Sequence, residues 1–351
     1  MTILYVILAI FIFGALVLMH ELGHYLFARL FKVSLTEFSI GMGPKIFQTK
    51  AKKTGILWSL RALPFGGYVA MVGEDGETDD PNALQKKAPW QRLIIMAAGG
   101  VINILTGIIL MTALVIGTRD QLGSTTVYDF IIPETSEIAI SDSTGLEAND
   151  KIVKVGRVGV HTANELIYEI MRQGVEPIDL TVIRNGERLL IEDVEFPTFT
   201  DQGVTFGDYD FRVYGEAPTA LNVAKHAFFR SASTVKMVWD GLIDLISGRY
   251  GMEAVSGPVG VTEVIVETAK TKQVANLVYL AAVIAVNLGV MNLLPVPALD
   301  GGRIVFVLYE MIFRKPINRK IEGYLHGAVM LLLFAFIIFI TFKDVIKLFL
   351  R

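Results

Sequence analysis

The sequence contains no cysteine, and charged residues make up only 19% of its 351 positions. Without cysteine, neither a disulfide framework nor a thiolate zinc site is possible, so any metal ion must be bound by histidine, aspartate or glutamate. Hydrophobic residues reach 52% and the mean hydropathy is +0.51, which is too apolar for an ordinary soluble domain. The composition therefore predicts a membrane protein.

Four stretches lack any acidic or basic residue over a length that suffices to cross the hydrocarbon core of a bilayer, which takes about 20 helical residues. These stretches are residues 1–19, 93–118, 273–299 and 323–342. The first is interpreted as a retained span rather than a secretory signal, because no Lys or Arg precedes it and no small-residue cleavage site follows it. The sequence thus predicts four transmembrane helices.

Lysine and arginine are unevenly distributed between the segments that connect these stretches. Residues 29–92 carry ten Lys/Arg and six Asp/Glu, whereas residues 119–272 carry fourteen and twenty-four. Because Lys and Arg close to a span are retained on the cytoplasmic side of a membrane, the first segment is expected in the cytoplasm and the second outside it.

Residues 122–197 have the pattern of a small α/β domain, with a helical pattern over 164–172 after apolar runs at 127–133 and 151–160. Residues 180–183 and 189–194 flank Asn185-Gly186, a dipeptide that favours the tight turn of a β-hairpin. Residues 144–152 read TGLEANDKI and resemble the Gly-Leu-x-x-x-Asp-x-Ile signature of PDZ domains. That resemblance implies a groove in which a peptide adds as an extra strand. The alternative is an unrelated α/β domain that only separates the membrane parts.

Residues 218–247 combine apolar positions at helical spacing with Lys225, Arg230 and Lys236. This pattern predicts a helix that lies on the membrane surface or packs against the soluble domain. The predicted domains are an N-terminal membrane core (1–118), a PDZ domain (119–200), a linker with a membrane-surface helix (201–272) and a C-terminal membrane core (273–351).

Residues 20–24 read HELGH and directly follow the first charge-free stretch. On a helix, His20 and His24 lie one turn apart on the same face, so both imidazoles can bind one Zn²⁺ while Glu21 lies beside the metal-bound water. A chance match is expected in only about one chain in a hundred of this length. Two histidines and a glutamate at membrane depth are costly without a function. The motif predicts a zinc site within the membrane.

A catalytic zinc ion takes three protein ligands and keeps a fourth position for water. Asp300 is the best candidate for the third ligand, because it ends the third apolar stretch just after Pro295 and Pro297, which break the helix. The remaining histidines are expected to have structural roles: His161, His226 and His326.

The combination of HELGH with NLLPVPALDGG at residues 292–302 resembles the site-2 protease family of intramembrane zinc metalloproteases. Three further motifs resemble the family's membrane-associated β-hairpin, its second span and the segment before its third span: LPFGGYV at 63–69, AGGVIN at 98–103 and SGPVG at 256–260. The likeness covers nearly the whole chain and points to the bacterial RseP and RasP group, in the form with a single PDZ domain. It implies an α-helical multi-pass membrane protein with four transmembrane helices, a membrane-associated β-hairpin loop and an inserted α/β PDZ domain.

The resemblance also implies the chemistry of the site. Zn²⁺ is the expected cofactor, His20, His24 and Asp300 are its expected ligands, and Glu21 is the expected general base. One departure from the family is Gly99-Gly100, where many relatives have Gly-Pro. This departure leaves open whether the second span bends.

Four residues are expected to contact the substrate. Asn287 and Asn292 resemble in position polar residues that hold the substrate in the family. Gly66 and Gly67 are expected to permit close approach of an unwound substrate to strand edges of the loop 29–92.

The implied function is regulated intramembrane proteolysis in a bacterial inner membrane, with the active site toward the cytoplasm and the PDZ domain outside. The implied substrates are single-span membrane proteins, either anti-sigma factors or remnant signal peptides, whose external domain another protease has removed. The PDZ groove would exclude large external domains or capture a new peptide C-terminus, and no nucleic-acid partner is expected. Two alternatives are an inactive membrane adaptor with a structural metal site and a metal transporter.

Overall fold

A computed structural model describes residues 2–74, 76, 78–117, 121–132, 138–201, 203–252 and 255–349. The chain forms two compact units: the first runs to Leu110 and resumes at Ser256, and the second comprises Met111–Val255. Residues 118–120, which hold the predicted boundary before the insertion, lie outside the described residues, as does Pro133 in the first predicted apolar run.

Helices dominate the first unit, and the second unit contains both strands and helices. Within the described residues the α-helices are α1 (Thr2–Leu30), α2 (Pro89–Gly117), α3 (Ile140–Ser143), α4 (Ala163–Gln173), α5 (Ala220–Ile246), α6 (Pro258–Lys270), α7 (Val274–Leu293), α8 (Asp300–Phe313) and α9 (Arg319–Phe349). The strands are β1 (Leu35–Lys50), β2 (Leu57–Met71), β3 (Leu122–Phe130), β4 (Lys151–Val155), β5 (Val158–Gly159), β6 (Ile178–Arg184), β7 (Glu187–Val194), β8 (Thr198–Asp201), β9 (Val204–Gly207) and β10 (Phe211–Glu216).

Four of the described helices are long and apolar enough to cross a membrane. They are α1 over Ile3–Leu30, α2 over Pro89–Gly117, α7 over Val274–Leu293 and α9 over Lys320–Lys347. These helices coincide with the four charge-free stretches of the sequence. The prediction of a multi-pass protein with four spans is confirmed by length and composition.

The third charge-free stretch does not remain helical to its end. The α7 helix ends at Leu293, and residues 294–299 connect it to α8, which begins at Asp300. Pro295 and Pro297 account for the break, because proline lacks an N–H group and its ring clashes with the preceding helical turn. The predicted helix break at the two prolines is confirmed, but Asp300 does not lie at the end of α7. Asp300 opens the next helix, where the helix dipole favours a carboxylate.

Glycines bring the α2 helix close to its neighbours in the membrane. A side-chain carbon at Gly23 of α1 would lie 2.5 Å from the Ala98 carbonyl oxygen, and one at Gly100 would lie 2.6 Å from Leu293 Cγ of α7. Helix backbones approach this closely only where side chains are absent. The α2 helix runs through Gly99-Gly100 without interruption, so the glycine pair serves close packing and does not break the span.

The β1 and β2 strands form a bent hairpin after α1. The first part of β1 has partners on both sides, since Ile40 lies opposite Gly67 and also opposite Leu60. The two ends of β2 therefore flank this part of β1. An extended peptide that adds to this side of the sheet would pair with residues 67–71 of β2 rather than with β1.

The second unit contains a sheet with the strand order β10-β3-β4-β6-β7, and β5 pairs with β4. Asn185 and Gly186 connect β6 to β7 with φ angles of 53° and 86°, as a type I′ turn requires. Thr162 and Glu165 form a capping box at the start of α4. The predicted hairpin and helix of this segment are confirmed.

The residues of the TGLEANDKI segment have clear roles in folding. Leu146 and Ile152 are fully buried in the core of the second unit. Asp150 accepts hydrogen bonds from Nε and Nη2 of Arg184, both at 2.7 Å. The sheet also extends past the predicted domain, because β10 pairs with β3. These contacts explain the motif through folding, and the assignment to the PDZ class stays a prediction.

The α5 helix packs against α4 through charged groups. Asp244 accepts two hydrogen bonds of 2.9 Å from Arg172, and Lys236 Nζ lies 2.8 Å from Glu169 Oε1. Of the two predicted placements, packing against the soluble domain is therefore observed, while contact with a membrane surface stays a prediction. The exposed side chains of α5 are all apolar: Ala220, Leu221, Ala224, Phe228, Ala232, Trp239, Ile243 and Ile246.

Candidate active site

Three side chains from two distant segments converge in the first unit. His20 and His24 lie one turn apart on α1, and Asp300 lies in the first turn of α8. The two Nε2 atoms are 3.2 Å apart, and each is 3.2 Å from Asp300 Oδ2. Ligand atoms that bind a tetrahedral zinc ion at 2.0–2.2 Å are about 3.3 Å from one another. The three donors thus fit an ion of this size.

The orientation of His24 is fixed by the main chain of α2. Its Nδ1 lies 2.8 Å from the carbonyl oxygen of Ile95, and the ring is buried. A carbonyl can only accept, so Nδ1 carries the proton and the lone pair of Nε2 points toward His20 and Asp300. Such contacts orient metal-binding histidines and fix their tautomer. Sequence reasoning missed Ile95 because the contact uses its backbone, which leaves no residue-type signal.

Gly99 of α2 lies against both imidazoles. A side-chain carbon at this position would overlap with His24 Nε2 and would lie 2.6 Å from His20 Cε1. The space that the two rings occupy therefore exists only because residue 99 has no side chain. In the sequence, Gly99 belongs to the AGGVIN motif and is the first residue of the Gly99-Gly100 pair, where many relatives have Gly-Pro.

The two glycines after Asp300 allow α8 to start directly against the end of α7. A side-chain carbon at Gly301 would lie 2.5 Å from the Leu293 carbonyl oxygen, and one at Gly302 would lie 2.5 Å from that of Val296. The first turn of α8 therefore packs backbone to backbone on this segment. This packing sets the position from which Asp300 reaches α1.

Two ion pairs hold the rest of α8. Arg92 of α2 lies 2.6 Å from Glu310, and Arg303 pairs with Glu74. The pairs link α8 to the first turn of α2 and to the segment that follows β2. They fix the helix that carries Asp300 at positions one and three turns beyond that residue.

The expected base and one of the expected loop glycines lie side by side. A side-chain carbon at Gly67 would be 3.1 Å from Glu21 Cγ and 2.8 Å from the Ser39 carbonyl oxygen. β2 therefore runs directly past the face of α1 that carries Glu21. Gly66 faces elsewhere: it has a φ of 78°, and a side-chain carbon there would lie 2.5 Å from Met42 Cε.

The two predicted asparagines lie on the last turns of α7. Asn287 is exposed and Asn292 is partly buried. Among the described residues no hydrogen bond joins either amide to the three donors, so their substrate role stays a prediction. The other histidines lie outside the donor cluster: His161 stacks on Phe229, His226 Nε2 is 3.2 Å from Glu216, and His326 Nδ1 contacts the Ala298 amide.

A charged network joins β1 and β2 near the site. The Glu37 carboxylate accepts a hydrogen bond of 3.0 Å from Arg61, which also donates to Ser39. Burial raises the pKa of Glu37, but hydrogen bonds from Ser59, Arg61 and Tyr68 outweigh it and lower this pKa to about 2. Glu37 is therefore ionised at neutral pH and stabilises the hairpin.

Two histidines and a carboxylate around a common point, with a glutamate beside the first histidine, define a metal-dependent hydrolase of the HExxH class. Residues 8–336 match the family model described as Peptidase family M50. The chain belongs to this family, which is that of the site-2 proteases.

Similar proteins occur in several bacteria. A protein of Clostridium acetobutylicum whose name places it among the zinc metalloproteases is 33% identical, over 97% of each chain. The Regulator of sigma-W protease RasP of Bacillus subtilis is 27% identical, over 98% of this chain and 99% of the relative. The zinc metalloprotease RasP of Geobacillus kaustophilus is 28% identical, over 97% of each chain. The present chain is a zinc metalloprotease with multiple membrane spans, as the sequence predicted for enzyme class and cofactor.

Proposed function

We propose that this protein is an intramembrane endopeptidase that cleaves single-span membrane proteins after their external domain has been removed. In this proposal His20, His24 and Asp300 bind the zinc ion, and Glu21 is the general base. The observation that carries the proposal is the triangle of donor atoms, 3.2 Å on each side, on a helix long enough to span a membrane.

The zinc ion and the protein groups around it have different roles in the proposed hydrolysis. Bound zinc supplies Lewis acidity, which lowers the pKa of water and polarises the scissile carbonyl. Glu21 accepts the proton of the attacking water and returns it to the leaving amine. The Ile95 carbonyl holds His24 in the binding tautomer, and Gly99 keeps the space around both rings open.

A substrate helix must unwind before hydrolysis, because its carbonyl groups are engaged in its own hydrogen bonds. An unwound segment needs replacement partners for its main chain. Residues 67–71 of β2 supply a strand edge beside Glu21, and a substrate strand that pairs there would lie next to the base. The exposed Asn287 supports substrate contact on α7, since an exposed amide within an apolar span is costly in lipid.

The name of the Bacillus subtilis relative supports an anti-sigma factor as the substrate, and a remnant signal peptide is the second candidate. In both cases the second unit would act as a PDZ domain outside the cell membrane. It would exclude substrates with large external domains, or it would bind a newly formed C-terminus by adding it to β10 or β7, the outer strands of its main sheet.

The proposed location is the inner membrane of a bacterium, with β1 and β2 in the cytoplasm. Because the sequence has no cysteine, a single introduced cysteine is the only thiol of the protein, and its labelling reports on which side of the membrane it lies. Lys53→Cys should react with a membrane-impermeant maleimide only after the cells are opened, whereas Arg188→Cys should react in intact spheroplasts. The opposite pattern would reject the proposed orientation.

The decisive experiment co-expresses the protein with candidate single-span proteins that lack their external domains. Wild type should cut them, and Glu21→Gln should retain zinc but cut none. An adaptor would keep its function with Glu21→Gln, and a transporter would change zinc flux instead. Either of these two results would reject the protease proposal.

A further inference from the structure

The segment that precedes Asp300 contains an unusual backbone conformation. Ala298 has a φ of 78°, in the left-handed region that residues with a side chain rarely adopt. It lies between Pro297 and Leu299, two residues before the carboxylate. Such a conformation persists only where surrounding contacts enforce it.

A side chain of the fourth span contacts this residue. The Ala298 N–H donates a hydrogen bond of 2.7 Å to Nδ1 of His326 on α9. The His326 ring also packs against the ring of Phe306 of α8, with 5.4 Å between the ring centroids and 73° between the ring planes. His326 therefore touches both the strained segment and the helix that Asp300 opens.

The acceptor role of Nδ1 determines the protonation of the ring. An imidazole nitrogen that accepts from a backbone N–H carries no proton, so the proton of His326 resides on Nε2. Glu322 lies one turn earlier on α9, and its Oε1 is 4.0 Å from Nε2.

The rest of the segment is held mainly by its own backbone. Leu299 N donates to the Val296 carbonyl at 3.1 Å, and Gly302 N donates to the Leu299 carbonyl at 3.1 Å. These local bonds join residues three positions apart in the sequence and do not tie the segment to another span. The bond from Ala298 to His326 supplies that tie.

We propose that His326 is a positioning residue: its Nδ1 holds Ala298 in the left-handed conformation and thereby keeps the Asp300 carboxylate within reach of His20 and His24. This inference rests on the proposed role of Asp300 as a zinc ligand. A ligand displaced by about 1 Å no longer matches the geometry that zinc requires. His326 itself does not touch the ion.

The test compares three variants of the full-length holoenzyme in detergent. Asn places its side-chain oxygen where Nδ1 was, Gln places its polar atoms nearer the position of Nε2, and Phe keeps the ring without an acceptor. His326→Asn should release zinc to a chelator at the wild-type rate. His326→Gln and His326→Phe should release it about tenfold faster, as expected for the loss of one buried hydrogen bond.

Two further readouts separate positioning from general damage. The visible absorption of the cobalt-substituted protein should change in the Gln and Phe variants and stay as in wild type in the Asn variant. For cleavage of a truncated single-span substrate, kcat should fall about tenfold in the Gln and Phe variants with KM unchanged. Equal zinc release in all three variants would overturn the proposal.

A second substitution distinguishes loss of the contact between His326 and Ala298 from misfolding of these variants. Glycine adopts a positive φ without steric cost, so Ala298→Gly should restore zinc retention in the His326→Gln background. If it restores none, the link between His326 and Ala298 is rejected. Zinc release needs no substrate, so it tests His326 even if no membrane protein is cleaved. Conversely, normal cleavage with equal zinc release in all variants would reject the positioning role of His326 and leave the proposed function intact.

Discussion

Glycine residues, which have no side chain, shape the candidate active site together with the side chains that line it. Gly99 leaves room for two imidazoles, and Gly301 and Gly302 let Asp300 start a helix against the end of α7. None of these glycines takes part in the chemistry. Each of them sets the distance between the side chains that we propose to carry it out.

Replacing Gly99 by alanine should remove zinc from the protein. The added methyl group would occupy the space of the His24 ring, so at least one imidazole must turn away. Disturbing the supports of a metal ligand typically lowers metal affinity or activity by about 10–100-fold. Zinc content after purification measures the effect. Gly117→Ala on the same helix meets no atom within 4 Å and should behave as wild type. Full zinc content in Gly99→Ala would contradict this account.

Replacing Gly67 by valine should lower cleavage without removing zinc. A side-chain carbon at Gly67 would press on Glu21 Cγ, so the proposed base should move while the three proposed zinc ligands stay in place. We expect kcat to fall by about tenfold or more, since general-base catalysis contributes about 10²–10⁴-fold. Gly76→Ala, in the same loop but in open space, is the matched control.

The valine variant does not by itself test strand pairing with the substrate, because displacement of Glu21 gives the same result. Proline substitutions in the unwound part of the substrate provide the separate test. Proline removes a main-chain donor and should weaken pairing with residues 67–71 of β2. Cleavage that is insensitive to every such proline would count against pairing.

At the scale of elements, the hairpin of β1 and β2 depends on one ionised side chain. The pKa of Glu37 lies at about 2, below the ordinary glutamate value of 4.5. A carboxyl whose pKa is lowered by folding stabilises the folded form above its unfolded pKa, and this contribution is lost as the pH falls through the folded value. Between pH 4.5 and 2, the hairpin should therefore lose stability.

Hydrogen exchange measured by mass spectrometry checks this prediction. After correction for intrinsic exchange rates, the amides of β1 and β2 should lose protection in the wild type as the pH falls from 4.5 to 2. Glu37→Gln should start with less protection and show a flatter pH dependence. Parallel curves for the two proteins would assign the acid sensitivity to another group.

Local patterns allowed much of the element structure to be predicted. The four spans follow from the absence of charge, and the turn at Asn185-Gly186 follows from the preference of this dipeptide for positive φ. The start of α8 at Asp300 was not predicted, because two prolines mark a break in a helix but not the point where the next helix begins.

Part of the candidate site could also be predicted from local sequence patterns. His20, His24 and Asp300 have residue types that bind metals, and the structure brings them together. The Ile95 carbonyl and the left-handed Ala298 have no such signature, since any residue has a carbonyl group and tertiary contacts set the φ of an alanine. Such supports are determined by packing between segments that are far apart in sequence.

At the scale of the whole molecule, the two units can be perturbed separately. Asp244 is buried and binds Arg172 through two hydrogen bonds that join α5 to α4. Asp244→Asn should destabilise the second unit by about 1–3 kcal/mol, because Arg172 loses the carboxylate that accepts two of its hydrogen bonds. Limited proteolysis of the full-length protein should detect the change, with cleavage confined to Met111–Val255.

Zinc retention provides the internal control for this variant. The metal donors belong to the first unit, so Asp244→Asn should keep its zinc. Glu192→Gln changes an exposed carboxylate of the second unit and should alter neither property. Loss of zinc in Asp244→Asn would reveal coupling between the units.

The α5 helix reverses the usual arrangement of a soluble helix, since its ionic side faces α4 and its exposed side chains are apolar. If Met111–Val255 were expressed as a separate fragment, these apolar side chains would be in contact with water. Such a fragment should aggregate in detergent-free buffer. Added salt should increase the aggregation, and a mild detergent should reverse it.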